Sequence, residues 1–193
     1  MRLAPSRSAL RRACDTLVRA MQPEPNTLPA RIELGGSGNA VVATGLPVLD
    51  HLLALVARYA GVDLQLEVAP GGPDAVATAA GRALGEALRD LLGAPRAVGY
   101  GMAIMPSDEA LANVVLEASG RPLLVSNVDL SDAHVAGLER DLVSLFLREL
   151  TEAARVTLHV RLLHGEDAEH ALAAIFKALG GAIARAAEPS GKE

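Results

Sequence analysis

Apolar and polar positions alternate along this chain with two different periods, and the periods take turns. Residues 6–22 place Leu10, Ala13, Cys14, Leu17, Val18 and Met21 at helical spacing, with Ser6 or Ser8 as caps, and predict an amphipathic helix. Pro23, Pro25 and Pro29 then make residues 23–29 an extended linker. Residues 30–34 and 39–44 flank Gly35-Gly36-Ser37-Gly38 and read as a β-hairpin. Pro47 opens a helix in which Val48, Leu52, Leu55, Val56 and Tyr59 share a face, and Gly61 stops it. Residues 62–68 alternate like a half-buried strand. Pro70-Gly71-Gly72-Pro73 is a turn, and Asp74 is placed to cap a helix running to Leu92. The second half repeats this order: strands over 100–105, 112–117 and 122–129, a helix over 138–154, a strand over 156–163 and a helix over 168–187.

The repetition is visible in the letters themselves. Val62-Asp63-Leu64-Gln65-Leu66 matches Val156-Thr157-Leu158-His159-Val160 at an offset of 94. Ala83-Leu84-Gly85-Glu86-Ala87-Leu88 matches Ala178-Leu179-Gly180-Gly181-Ala182-Ile183 at an offset of 95. A duplicated strands–helix–strand–helix unit follows, each unit burying one sheet face under its helices. The expected organisation is an N-terminal helix and linker over 1–29, a first repeat over 30–95, a second over 96–187 and a flexible tail over 188–193.

Composition narrows the function. The 193 residues are 50% hydrophobic, mostly aliphatic, so a sizeable core is available. The only aromatics are Tyr59, Tyr100, Phe146 and Phe176, and net charge is −5. Both features argue against nucleic-acid partners, which need cations and stacking surfaces. No apolar run reaches the roughly 18 residues of a membrane span. Cys14, the only cysteine, excludes an intrachain disulfide and fits a reducing, cytoplasmic setting. Arg2, Arg7, Arg11, Arg12 and Arg19 give the N-terminus the composition of a transit peptide, but no cleavage signal follows, and an amphipathic helix accounts for the same residues.

Five segments, in order over about residues 30–187, carry a family resemblance. They are Thr44-Gly45-Leu46-Pro47-Val48-Leu49-Asp50-His51; Pro106-Ser107-Asp108-Glu109-Ala110-Leu111; Ser119-Gly120-Arg121-Pro122; Thr157-Leu158-His159-Val160-Arg161-Leu162-Leu163 with Gly165; and Phe176-Lys177-Ala178. Together they resemble the imidazoleglycerol-phosphate dehydratase family. The resemblance implies an α+β fold of two fused repeats, each a four-stranded sheet backed by helices, assembled into large homo-oligomers. It implies loss of water from imidazole glycerol phosphate, a step of histidine biosynthesis, with two manganese ions holding the imidazole as an electron sink.

The ligand pattern departs from that family. The family's lone His matches His51 in repeat one and falls on Leu145 in repeat two. Its His-His-x-x-Glu falls on Asp74, Ala75 and Thr78, and then on Glu169, His170 and Ala173. The metal donors implied are therefore His51 and His170, with Asp74 and Glu169 as further carboxylates, holding manganese or magnesium in fewer than the family's two ions. Arg121 matches a phosphate-contacting arginine, and the tail residues Ser190 and Lys192 match a phosphate-holding pair. The family's N-terminal glutamate falls near Pro25, and the arginine expected before Tyr100-Gly101 is Gly99 or Val98. No catalytic residue is assigned. The expectation is a dehydratase that is weakly active or inactive; the alternative is a non-catalytic relative acting in assembly or in binding a small phosphorylated imidazole ligand. Simpler roles stand beside these: a structural His51 beside Asp50, a packed His159, solvated His134 and His164, and an Arg121 paired with Glu117 or Asp108.

Overall fold

The computed structural model describes residues 30–34, 36–128 and 142–191. In chain order the elements are β1 (Arg31–Leu34), β2 (Ala40–Ala43), α1 (Pro47–Ala60), β3 (Val62–Glu67) and α2 (Pro73–Leu92). The second half supplies β4 (Tyr100–Ser107), β5 (Ala110–Glu117), β6 (Leu123–Ser126), α3 (Leu142–Ala154), β7 (Thr157–His164) and α4 (Ala168–Ala187). The helix expected over 6–22 and the linker over 23–29 lie outside the described residues. No helix among the described residues is long and apolar enough to cross a membrane.

The strands form two sheets, ordered β1-β3-β2 and β4-β5-β7-β6. In each, a strand–helix–strand unit brings β3 parallel to β2, or β7 parallel to β6, and the unit's second strand pairs antiparallel with the strand on its other side. Sheet one shows three strands among the described residues where four were expected. The expected hairpin over 30–44 does not form, because β3 lies between β1 and β2. The glycine-rich link instead passes over the start of β3, where Asp63 Oδ1 accepts the N–H groups of Ser37 and Asn39. A short glycine loop is a local hairpin signal, but the parallel return of the chain after α1 decides the pairing.

The helices lie between the sheets: α1 packs on β2 and β3, α4 packs on β4 and β5, α1 meets α4, and α2 meets α3. α4 touches a helix on one side and a sheet on another, so it is buried over most of its surface, from Ala171 to Ala186. Phe146 and Phe176 stack with ring centroids 5.9 Å apart, joining α3 and α4 in one core.

The helix crossings repeat as the sequence does. A Cβ on Gly180 would lie 2.6 Å from the Val56 carbonyl oxygen and 2.9 Å from Tyr59 Cβ. A Cβ on Gly85 would lie 2.6 Å from the Leu150 carbonyl oxygen and 2.7 Å from Ala153 Cβ. Leu150 and Ala153 are Val56 and Tyr59 shifted by the internal offset of 94. The two crossings are therefore the same contact made twice, and glycine is required because backbone meets backbone there. α2 starts differently from expectation. Gly72 is its cap and Pro73 fills its first turn, so Asp74 sits inside the helix and caps nothing.

Candidate functional site

The crossing of α1 and α4 opens at one end into a cavity of about 610 Å³. Its walls carry Val48, His51, Leu52, Leu55, Arg58 and Tyr59 from α1, Ser107 and Asp108 from the β4–β5 turn, and Glu169, His170, Leu172, Ala173 and Lys177 from α4. An apolar body with a few converging polar groups is the usual make-up of a small-molecule site.

The turn before α1 explains how His51 is presented. Gly45 takes φ 81, and Asp50 reaches back from the first turn to accept the Thr44 N–H at 2.9 Å and the Thr44 hydroxyl at 2.5 Å. Thr44 is buried, and its Oγ1 accepts the Leu46 N–H. The hydrogen bonding of this turn thus falls to Asp50, and His51 stands exposed on the cavity wall.

His170 is held from three sides. Asp167 caps α4, its Oδ1 accepting the N–H groups of Glu169 and His170 at 2.8 and 3.1 Å. Glu109, in the two-residue turn between β4 and β5, accepts the Asp167 N–H through Oε1 at 3.1 Å. Its Oε2 meets His170 Nδ1 at 2.6 Å. Asp108, at φ 48 in the same turn, brings Oδ2 to 3.6 Å from His170 Nε2. Asp is among the few side chains that tolerate such a backbone. The Asp167 N–H and the His170 contact lower the Glu109 pKa from 4.5 to about 2. The same hydrogen bond raises the His170 pKa above 6.5. Lys177, one helical turn deeper than Ala173, donates to Ser107 Oγ at 3.0 Å and to the Pro106 carbonyl at 3.4 Å. Both partners are uncharged, so the ammonium remains available to an anion in the cavity.

The structure brings together three of the sequence-derived donors, His51, Glu169 and His170, on one cavity. Asp74 is not among the residues lining it; it is exposed on α2, in the other crossing. There the repeat-equivalent of His51 is Leu145, partly buried against the core, and Ala75 and Thr78 stand on α2 where the resemblance leads one to expect donors. Among the described residues, no three His, Cys, Asp or Glu side chains are placed to hold a metal ion together. Arg121 is exposed in the β5–β6 loop, outside the cavity, where Ser119 Oγ accepts its backbone N–H. Neither Glu117 nor Asp108 forms an ion pair with it among the described residues. Ser190 also lies away from the cavity. Its N–H donates to the Arg96 carbonyl, and Pro189 bridges to Ala97. Residues 188–190, expected in a flexible tail, are thus hydrogen-bonded to the segment before β4, and Lys192 lies outside the described residues. In the sequence Glu109 and Lys177 stood within the quoted motifs with no role expected, and Asp108 only as a partner for Arg121. Asp167, directly before an apolar helical run, was a readable cap signal.

The imidazoleglycerol-phosphate dehydratase family model matches residues 44–183. An imidazoleglycerol-phosphate dehydratase of Halorhodospira halophila is 41% identical over 163 residues, covering 80% of this chain and 81% of the relative. One of Desulforudis audaxviator is 40% identical, covering 81% and 82%. The fold is similar to the crystal structure of the dehydratase from Staphylococcus aureus subsp. aureus N315, with a TM-score of 0.77 at 33% identity, over 83% of this chain and 93% of that one. It is also similar to the Pyrococcus furiosus enzyme in complex with (S)-C348, with a TM-score of 0.75 at 33% identity, over 84% and 90%. On these matches, the chain belongs to the imidazoleglycerol-phosphate dehydratase family.

Proposed function

We propose that this chain is a divergent member of the family in which dehydration of imidazole glycerol phosphate is weak or lost, while the α1–α4 cavity still binds a small phosphorylated imidazole ligand. In this reading it belongs to histidine biosynthesis by descent, works in the cytoplasm and associates with itself.

The observation that carries the reading is the unequal fate of the two crossings. A two-ion centre needs many donors, since each divalent ion of this type takes several nitrogen or oxygen ligands. The first crossing keeps the family's histidine at His51 and His170, has the carboxylate Glu169 in place of a third histidine, and has Ala173 in place of a glutamate. The second has only Asp74 as a carboxylate, in place of a histidine, with Ala75, Thr78 and Leu145 offering at best one hydroxyl. This donor set does not fit the family's pair of ions. His170 has one ring nitrogen on the Glu109 carboxylate, as a metal-bound histidine often does, and the other facing Asp108 at 3.6 Å. One loosely held manganese or magnesium ion is therefore the most that the α1–α4 cavity takes. Lys177 and Arg58 supply positive charge for the phosphate in the same cavity; Arg121 and Ser190 lie away from it and hold no phosphate there within one chain.

Turnover of imidazole glycerol phosphate by the purified chain in added manganese, alongside a 41%-identical relative, tests the reading. The expected result is turnover near background together with measurable ligand binding. Turnover comparable to the relative's, or restored growth without histidine in a cell lacking its own dehydratase, overturns it.

A further inference from the structure

The duplicated helix crossing supplies an internal control for the charges of the cavity. In the α2–α3 crossing Arg82 pairs with Glu149 across the helices, Nε to Oε2 at 2.8 Å. At the internal offsets of 95 and 94, Arg82 corresponds to Lys177 and Glu149 to Leu55. Glu152, one turn further along α3, corresponds to Arg58. The α1–α4 crossing thus has a cation at the same place on its second helix, a leucine where the copy has the facing carboxylate, and a further cation where the copy has an acid. Lys177 and Arg58 both line the cavity, and neither forms an ion pair among the described residues. One crossing neutralises its charge within the fold; the other leaves it to whatever enters the cavity.

The other end of the cavity has the opposite sign. The carboxylates of Asp108, Glu109, Asp167 and Glu169 gather at the start of α4. Asp167 is satisfied by two backbone N–H groups, and Glu109 by the Asp167 N–H and the His170 ring. Asp108 and Glu169 are not satisfied in this way. Asp108 is 70% exposed and comes no closer to His170 than 3.6 Å, and Glu169 pairs with no cation among the described residues. Both line the cavity. The rise of α4 from Glu169 to Lys177 separates the two ends by about 12 Å. With about 3 Å taken by a charge-assisted hydrogen bond at each end, about 6 Å remains between the charges of a bridging ligand. A metal ion is a poor occupant of the acidic end, because no three His, Cys, Asp or Glu side chains among the described residues are placed to hold one. An organic cation asks for less: its N–H groups are met by two carboxylates with no fixed coordination geometry.

We propose that Asp108 and Glu169 hold the head of the ligand as a cation, without a metal ion, while Lys177 and Arg58 hold its phosphate, so that the cavity selects dipolar phosphate esters: a short chain with an imidazolium or ammonium group at one end. The proposal rests on the reading that this cavity binds a small phosphorylated imidazole ligand, and deepens it by giving the ring a proton where metal ions would take one away. A manganese ion at Glu169 and His170 then competes with the ligand for the acidic end.

Calorimetry on the full chain in chelator at neutral pH tests it, with aminopropyl phosphate and propyl phosphate as probes, which differ by one ammonium group. The expected result is that aminopropyl phosphate binds at least about ten-fold tighter, the worth of one hydrogen bond between charged groups. Asp108→Asn with Glu169→Gln should erase that difference and leave propyl phosphate binding as in wild type. Asparagine tolerates the φ of 48 at position 108, so the turn is retained. Leu55→Glu, which sets a carboxylate toward Lys177 as Glu149 is set toward Arg82, should weaken both probes about ten-fold or more. Added manganese should leave the binding of imidazole glycerol phosphate unchanged or weaker. Equal affinity for the two probes, or a preference that survives the double change, overturns the cationic head alone. Binding of imidazole glycerol phosphate that tightens about ten-fold in manganese overturns the metal-free hold. Full binding of both probes by Leu55→Glu overturns the placing of the phosphate at Lys177. Silence of both probes beside binding of imidazole glycerol phosphate overturns the selection for dipolar esters, and silence of all three overturns the reading of the cavity as well.

Discussion

Replacing Gly180 by Ala is the sharpest perturbation of the helix crossing that frames the cavity. In an exposed helix interior this change is stabilising by about 1 kcal/mol, because glycine gives up more backbone freedom on folding. Here the sign reverses. The new Cβ would lie 2.6 Å from the Val56 carbonyl oxygen, 2.9 Å from Tyr59 Cβ and 3.1 Å from the Ala60 nitrogen. Two of the three are backbone atoms of α1, so no side chain can swing aside, and the helices must part by roughly half an ångström or more to reach ordinary contact. Overpacking of this kind costs about 1–3 kcal/mol, and more where backbone must move. With the propensity gain deducted, a net loss of about 1–2 kcal/mol remains. For a chain of this size that lowers Tm by roughly 2–8 °C. Thermal unfolding followed by circular dichroism reads it directly. Gly85→Ala meets the Leu150 oxygen at 2.6 Å and Ala153 Cβ at 2.7 Å, and should lose at least as much. Gly71→Ala, whose Cβ would find nothing nearer than 3.7 Å, should change little. If Gly180→Ala melts at or above the wild-type temperature, the helices do not approach as closely as the duplicated contact requires.

Glu109→Gln should bring the His170 pKa back toward 6.5, read from imidazole resonances by NMR; an unchanged pKa would remove Glu109 as the cause. The His170 contribution to stability is complete below 6.5 and is lost as pH rises through the raised native value, while the Glu109 contribution is complete above 4.5 and is lost as pH falls toward 2. The melting difference between wild type and Glu109→Gln should therefore peak between pH 4.5 and 6.5, and a difference that grows at alkaline pH would contradict the pairing. Elemental analysis after mild dialysis should find far less than two manganese ions per chain, and two tightly held equivalents would sink the proposed donor loss. Lys177→Met should weaken binding of a phosphate ester about ten- to hundred-fold, the worth of one hydrogen bond to a charged group, as measured by calorimetry. Equal affinity would place the phosphate elsewhere.

Much of the fold was legible because it is local. The helices over 47–60 and 168–187 follow from apolar spacing with Pro47 at one start and Gly61 at one stop, and the duplication follows from two short matches at one offset. The errors come from decisions made far along the chain. Residues 30–44 look like a hairpin until β3 arrives between their strands, a pairing set by the helix that separates β2 from β3. Asp74 looks like a cap until Pro73 takes the first turn and moves the cap back to Gly72. His51 and His170 could be named as candidates, but nothing in their spacing shows that they share a cavity; that requires α1 to cross α4. Glu109 was visible as a letter in a motif, and its task appears only when the hairpin tip meets the start of α4, 61 residues away.

Duplication explains why the losses need not unfold the chain. The contacts that build each crossing lie at Gly85 with Leu150 and at Gly180 with Val56, and both pairs are intact. The donor positions lie toward the helix starts, at 74–78 and 169–173 and at 51 and 145, where side chains face a cavity or solvent rather than the tightest contacts. An apolar residue such as Leu145 then joins the core margin, and burying it stabilises the crossing where a histidine would have needed a partner. On the proposed reading, losing ligands in the second crossing is thus cheap for folding and costly only for chemistry. The first crossing is different, because His170 is bound into the structure by Glu109 and Asp167, which also tie the β4–β5 turn to α4. Removing His170 gives up one of the bonds that hold this turn against the helix, whether or not a metal is ever bound there. The surviving histidine therefore marks where function and structure coincide, and its presence alone is not a sign that the two-ion chemistry persists.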